Sequence, residues 1–178
     1  MSYTYFDYNS EASQAPEKIF SSILRQIVAS LEEIPESLLN AYNQRSTTGP
    51  PLNARELQSF ILSIFATTNR TYIVIDALDE CAADHRESIL NFITELRKYL
   101  HARVLITSRQ HLDDINRILK DDRKILIEAS PEDLSKYISF KILNGKVKDK
   151  VDGLLAHKIV ERLLAGAKGM QVSRTLAV

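Results

Sequence analysis

Thr71-Tyr72-Ile73-Val74-Ile75-Asp76-Ala77-Leu78-Asp79-Glu80-Cys81 is the stretch that decides how this chain folds. Four large apolar residues, Tyr72 to Ile75, run without alternation into an acid. A strand with no alternation is expected to be covered on both faces, as a central parallel strand is. Asp76 then stands where the strand ends. In open α/β sheets ligands bind outside the carboxyl ends of the strands, and a carboxylate there can hold Mg2+ directly or through water. Asp79 and Glu80 follow at once, and either can orient or deprotonate a water. The plainer alternative is a buried strand meeting an acid-rich loop that caps the next helix.

Outward from this strand, the composition sets limits. The chain has 178 residues, 44% of them apolar, which suits one soluble domain with a sizeable core. Its 23 basic and 23 acidic residues balance, which argues against nucleic-acid binding driven by bulk charge. Cys81 is the sole cysteine, so no internal disulfide can form. No apolar run reaches the ~20 residues of a membrane helix, and Met1 to Asp7 lacks a signal core, so the expected location is cytoplasmic.

Upstream, Tyr3 to Tyr8 reads as a strand. Pro16 opens a helix, with Ser13 or its neighbours as cap, whose apolar stripe is Ile19, Phe20, Ile23, Leu24, Ile27, Val28 and Leu31. Pro35 restarts a helix through Leu38, Leu39 and Tyr42. Thr47 to Pro51 is a loop, and Asn53 is an N-cap for a helix carrying Leu57, Phe60, Ile61, Ile64 and Phe65. Downstream, Ile89, Leu90, Ile93, Leu96 and Leu100 mark a helix, and Arg103 to Arg109 a buried strand with a polar end. Asp113 to Leu119 is a short helix, and Ile125-Leu126-Ile127 a further strand. Ser130-Pro131-Glu132-Asp133 starts a helix that ends near Asn144-Gly145. Lys146 to Lys150 is a charged linker, and a last helix runs from Val151 to Leu164, stopping at Gly166 or Gly169. Strands alternating with helices predict an α/β fold with a mostly parallel sheet and right-handed crossovers.

The apolar run followed by Asp76, Ala77, Leu78, Asp79 and Glu80 resembles the extended Walker B motif of NACHT domains, a branch of the STAND class of P-loop NTPases. Val104 to Arg109 resembles the sensor strand that follows it, and enough chain lies between Asp76 and Arg109 for one helix and one strand. Tyr5-Phe6-Asp7-Tyr8, followed by a helix with Leu24-Arg25-Gln26, resembles the segment after the P-loop in nephrocystin-like NACHT proteins, a type abundant in fungi and related to NOD-like receptors. The resemblance implies Asp76 on Mg2+, Asp79 or Glu80 on the attacking water, and Thr107, Ser108 and Arg109 beside the γ-phosphate of ATP or GTP. It also implies a nucleotide-dependent switch in immune-like or incompatibility signalling, with protein partners or self-association in full-length relatives.

The departures matter as much. A phosphate cradle needs Gly-x-x-x-x-Gly-Lys-Ser/Thr, and no such run exists in the chain. In the family, the P-loop strand precedes Tyr3 and lies between the sensor strand and the one after it. The expected fold is therefore a P-loop NTPase-like parallel sheet flanked by helices with that strand missing. Residues 1–145 form the NACHT-type core without Walker A, and 146–178 a last helix and a divergent tail. Tyr3–Tyr8, Tyr72–Ile75 and Val104–Thr107 should form one contiguous parallel set with Tyr72–Ile75 in the middle, and Ile125–Ile127 should not ladder properly to Val104–Thr107, or should pair with it only by closing the gap. By itself this chain is expected to bind no Mg2+ or nucleotide unless a P-loop is supplied. The alternative function is a non-catalytic adaptor or relic acting through protein contacts. Nucleic acid and membrane are not expected partners. His85, His101, His111 and His157 show no zinc spacing, and Cys81 lies among acids that oppose a thiolate.

Overall fold

The computed structural model describes residues 1–9, 14–45, 49–68, 70–109, 112–127, 130–145, 151–167 and 172–177. Ser13, Lys146–Lys150 and Gly169 lie outside them. The chain divides into two compact units, Met1–Ile125 with Arg174–Val178, and Leu126–Ser173.

The first unit is built on three parallel strands, β1 (Ser2–Tyr5), β2 (Thr71–Asp76) and β3 (Ala102–Thr107). β2 is in the middle, and β1 ends before Tyr8. Between β1 and β2 come α1 (Pro16–Val28), α2 (Glu36–Arg45) and α3 (Ala54–Thr67), and between β2 and β3 comes α4 (Ala83–Leu96). α5 (Asp113–Ile118) follows β3. The step from β1 to β2 and the step from β2 to β3 go the same way across the sheet. Crossovers of the usual right hand then put their helices on the same face.

That face is the core. The register sets Ile73 beside Val104 and Ile75 beside Ile106, and all four are buried with Phe6 under α1, α3 and α4. Phe20 of α1 and Phe92 of α4 meet edge to face at 5.0 Å between ring centroids, a favoured aromatic geometry. α1 starts with Pro16 in its first turn and buries Ile19, Phe20, Ile23, Leu24 and Ile27. Its N-cap is Ala15, without a side-chain hydrogen bond. α3 is closed by a capping box: the Asn53 side chain accepts from the Glu56 N–H, and the Glu56 carboxylate accepts from the Asn53 N–H, each at 3.0 Å.

The opposite face corrects the expectation that β2 is covered on both sides. Tyr3, Tyr5 and Tyr72 project from it and stay 64%, 60% and 45% exposed, and Val74 is half-buried. The run looked doubly buried because its open-face residues are also apolar, so the alternation in burial left no alternation in hydrophobicity.

The sheet edge carries one more strand, in the segment expected only to be a divergent tail: Val172–Ala177 forms β5 and pairs antiparallel with β3, Val104 opposite Ala177 and Thr107 opposite Arg174. The strand order is β1-β2-β3-β5-β4, with β4 spanning Lys124–Ile127. Ile125–Ile127 is indeed not laddered to β3, but the position between them is filled, and the sheet is mixed rather than wholly parallel. A free edge on β3 would leave backbone N–H and C=O groups unpaired, which any available strand of suitable sequence relieves.

The second unit consists mainly of α6 (Pro131–Asn144) and α7 (Gly153–Ala167), which lie against each other. The Ser130 hydroxyl caps α6 by accepting from the Asp133 N–H at 3.0 Å, as its sequence predicts. α7 passes through Gly166 instead of stopping at it. Among the described residues no helix is long and apolar enough to cross a membrane.

Candidate functional site at the carboxyl ends of the strands

Asp76 is the last residue of β2 and Thr107 the last of β3, side by side in register. Both belong to the open face. The Thr107 hydroxyl donates to Asp76 Oδ1 and accepts from the Ala77 N–H at 2.8 Å. This hydroxyl therefore ties the two strand ends together.

Ala77 turns the chain. Its φ of 55° and ψ of 45° are left-handed, the sole non-glycine with positive φ among the described residues. An L-residue with a Cβ is disfavoured there by about 1–2 kcal/mol. The turn leads into one 3-10 turn, Leu78–Glu80, which buries Leu78 completely and sends Asp79 and Glu80 back over the strand ends.

Both acids meet Arg109. The Arg109 backbone N–H donates to Asp79 Oδ1 at 3.1 Å, and its Nε lies 3.4 Å from Asp79 Oδ2. Its Nη2 lies 3.5 Å from Glu80 Oε1, and Glu80 Oε2 accepts from the Tyr8 N–H at 3.4 Å. The Asp79 side chain is 7% exposed and the Glu80 side chain 21%, so Asp79 is fixed and Glu80 is the more accessible. Arg109 itself is largely in solvent.

Five of the six residues singled out from the sequence thus come together: Asp76, Asp79, Glu80, Thr107 and Arg109. Ser108 is adjacent and buried, but its hydroxyl donates to the Arg109 carbonyl at 3.0 Å and is directed at backbone. Among the described residues there is no group of three or more His, Cys, Asp or Glu able to hold a metal by themselves.

Sequence reading missed Arg86. It is buried on α4, donates from Nη1 to the Cys81 carbonyl at 2.7 Å, and reaches Asp114 Oδ2 through Nε at 2.7 Å. A longer contact of 3.5 Å runs to the Asp79 carbonyl. It therefore holds the acid-bearing turn from behind. The available signal was its spacing: Arg86 falls on the same stripe as Ile89, Leu90 and Ile93, where an arginine needs a buried partner. Burial pushes the Cys81 thiol up to about 11, with Asp84 adding and Arg86 opposing. The thiol is thus protonated at neutral pH, as expected of a structural cysteine. Tyr5, beside Asp76 in register, has its hydroxyl pKa raised above 10.0, first by Asp7, then by burial, Glu80 and Asp76.

The family described as Nephrocystin 3, N-terminal matches this chain over residues 1–109. The match spans β1 to the end of β3 and takes in all six residues, stopping at Arg109. No curated protein and no solved structure matches the chain. With the match covering more than half of its length, the chain belongs to the nephrocystin 3 N-terminal family.

Proposed function

We propose that the first unit carries the acid-and-sensor half of a nucleotide site of the NACHT, P-loop NTPase kind, acting as part of a nucleotide-dependent signalling switch. One observation carries the reading: Asp76 and Thr107 are hydrogen-bonded at the ends of adjacent parallel strands, with Asp79 and Glu80 folded back onto Arg109 beside them. Protein sites for Mg2+ beside a nucleotide commonly offer one or two carboxylates, the phosphates supplying the rest. One strand-end carboxylate with a hydroxyl partner fits that demand, whereas it would not fit a dedicated metal cage. When bound, the ion would neutralise charge on the phosphate oxygens.

The chain's own residues then divide the work. Asp76 holds the ion and Thr107 orients Asp76. Asp79, buried and held at both oxygens by Arg109, positions the arginine. Glu80, the more accessible, takes the proton from the attacking water. Arg109 is free to leave its longer contacts for a phosphate oxygen. The cradle of backbone N–H groups and lysine is what this sequence lacks, and most phosphate affinity resides there.

The test is to graft an N-terminal strand and a Gly-x-x-x-x-Gly-Lys-Ser loop ahead of β1. Mg2+-dependent ATP or GTP binding should appear, Asp76→Asn should weaken it, and Glu80→Gln should leave binding nearly intact while slowing single-turnover hydrolysis by roughly 10²–10⁴-fold. Hydrolysis unchanged in both Glu80→Gln and Asp79→Asn would remove the assignment of the water-activating acid.

A second reading, a non-catalytic adaptor working through protein contacts, is favoured by the exposed Tyr3, Tyr5 and Tyr72 on the open face. Tyrosine is enriched where proteins meet. A graft that folds and binds no nucleotide would support this second reading.

A further inference from the structure

Away from the strand ends, α1, α2, the start of α3 and the segment Gly49–Leu52 border an open pocket of ≈ 670 Å³. It shares no residue with the site above. Leu24 and Leu57 are buried in its lining, Val28 and Leu38 are half-buried, and Leu39 and Tyr42 stand exposed at its rim. This is the size and apolar character of a small-molecule pocket. A second hollow of ≈ 540 Å³ adjoins it, sharing Ser21, Arg25, Pro51, Leu52 and Leu57. Its remaining lining is polar: Glu17, Lys18 and Ser22. The two form one trough, apolar at one end and polar at the other, with Arg25 at the junction.

The two arginines of the trough differ. Arg45 is committed to Glu56, whose two carboxylate oxygens it meets at 2.6 and 3.1 Å. That pairing, with the Asn53 N–H, holds the Glu56 carboxyl down at about 2. Gly49 closes against the same arginine: its N–H donates to the Arg45 carbonyl, and a Cβ there would come within 3.0 Å of Arg45 Cα. Arg25 is exposed and has no acidic partner among the described residues. The polar end sets two cations, Arg25 and Lys18, against one carboxylate, Glu17, and this single excess positive charge suits a single negative charge better than a phosphate dianion.

We propose that this trough binds a monoanionic amphiphile, a carboxylate on an alkyl chain, with the chain among Leu24, Val28, Leu38 and Leu57 and the carboxylate on Arg25. A bidentate guanidinium–carboxylate contact supplies the head-group selection, and burial of the alkyl chain supplies the affinity.

Calorimetric titration of the 178-residue chain with sodium dodecanoate, kept below its micellar range, tests this. One saturable site is expected. Arg25→Glu should weaken dodecanoate at least tenfold and leave uncharged 1-dodecanol unchanged. Ala41→Trp, which fills the apolar end, should weaken both, and Ser21→Trp replaces it if circular dichroism shows the first variant unfolded. Absence of saturable dodecanoate binding overturns the proposal. So does dodecanoate affinity that survives both Arg25→Glu and the folded tryptophan variant, or equal loss of dodecanoate and dodecanol in Arg25→Glu.

Discussion

The two faces of the three parallel strands differ in what covers them. On one, Ile73, Ile75, Val104 and Ile106 lie under α1, α3 and α4 and are inaccessible or nearly so. On the other, the same strands present Tyr3, Tyr5 and Tyr72 exposed and Val74 half-buried, and Asp76 and Thr107 belong to that second face. The difference comes from connectivity, since successive crossovers in one direction stack their helices on one side. The buried core therefore lies on the covered face, and the candidate site at the rim of the open one.

The largest expected effect tests that division directly. Ile73→Ala should cost about 2–5 kcal/mol, the usual range for a buried isoleucine that leaves a cavity. Its neighbour Tyr72→Ala should cost well under that, on the order of 0.5 kcal/mol, as for an exposed site. Urea unfolding of the first unit reads both, and similar losses would mean that the open face is covered in solution.

The next effect sharpens the link between the faces. Arg86 is buried and supports the acid-bearing turn, but the Asp114 side chain it pairs with is 34% exposed. Breaking a fully buried pair costs about 3–5 kcal/mol, and solvent screening at Asp114 reduces this to about 1–3 kcal/mol for Arg86→Met. Burial pushes the Asp114 carboxyl up, yet the hydrogen bonds from Arg86 and the Ile115 N–H outweigh it and hold the group below 3.8. A depressed carboxyl stabilises above its unfolded pKa and loses that contribution as pH falls through the folded value. The gap between wild type and Arg86→Met should narrow as pH drops below about 3.8, and a gap constant down to pH 2 would assign the cost to packing.

The smallest effect has the opposite sign. The Ser2 hydroxyl sits on the covered face, fully buried and without a hydrogen-bond partner. Ser2→Ala should raise stability by about 1 kcal/mol, because a desolvated, unpaired hydroxyl is removed. Lower stability in the variant would mean that the hydroxyl has a partner in solution.

Much of this was legible in the sequence. The helix stripes at 3.6-residue spacing, the Asn53 and Ser130 caps and the strand-end acids each announced themselves through local chemistry. What was not legible has a common cause, because the open face and the edge pairing each depend on what lies beside a segment rather than within it. Tyr72 and Val74 look as buried as Ile73 and Ile75 by residue type, and only the direction of the crossovers separates them. The pairing of Val172–Ala177 with β3 is antiparallel and non-local, decided by an edge that required a partner. Arg86 was hidden for a related reason, since its partners are two carbonyls and an acid from a different helix.

If the acids and Thr107 form half of a nucleotide site, affinity depends on the phosphate cradle that this sequence lacks. Calorimetry of the 178-residue chain with Mg2+ and ATP or GTP is the test. No saturable binding at physiological nucleotide concentrations is the predicted result. A micromolar dissociation constant that Asp76→Ala abolishes would contradict it.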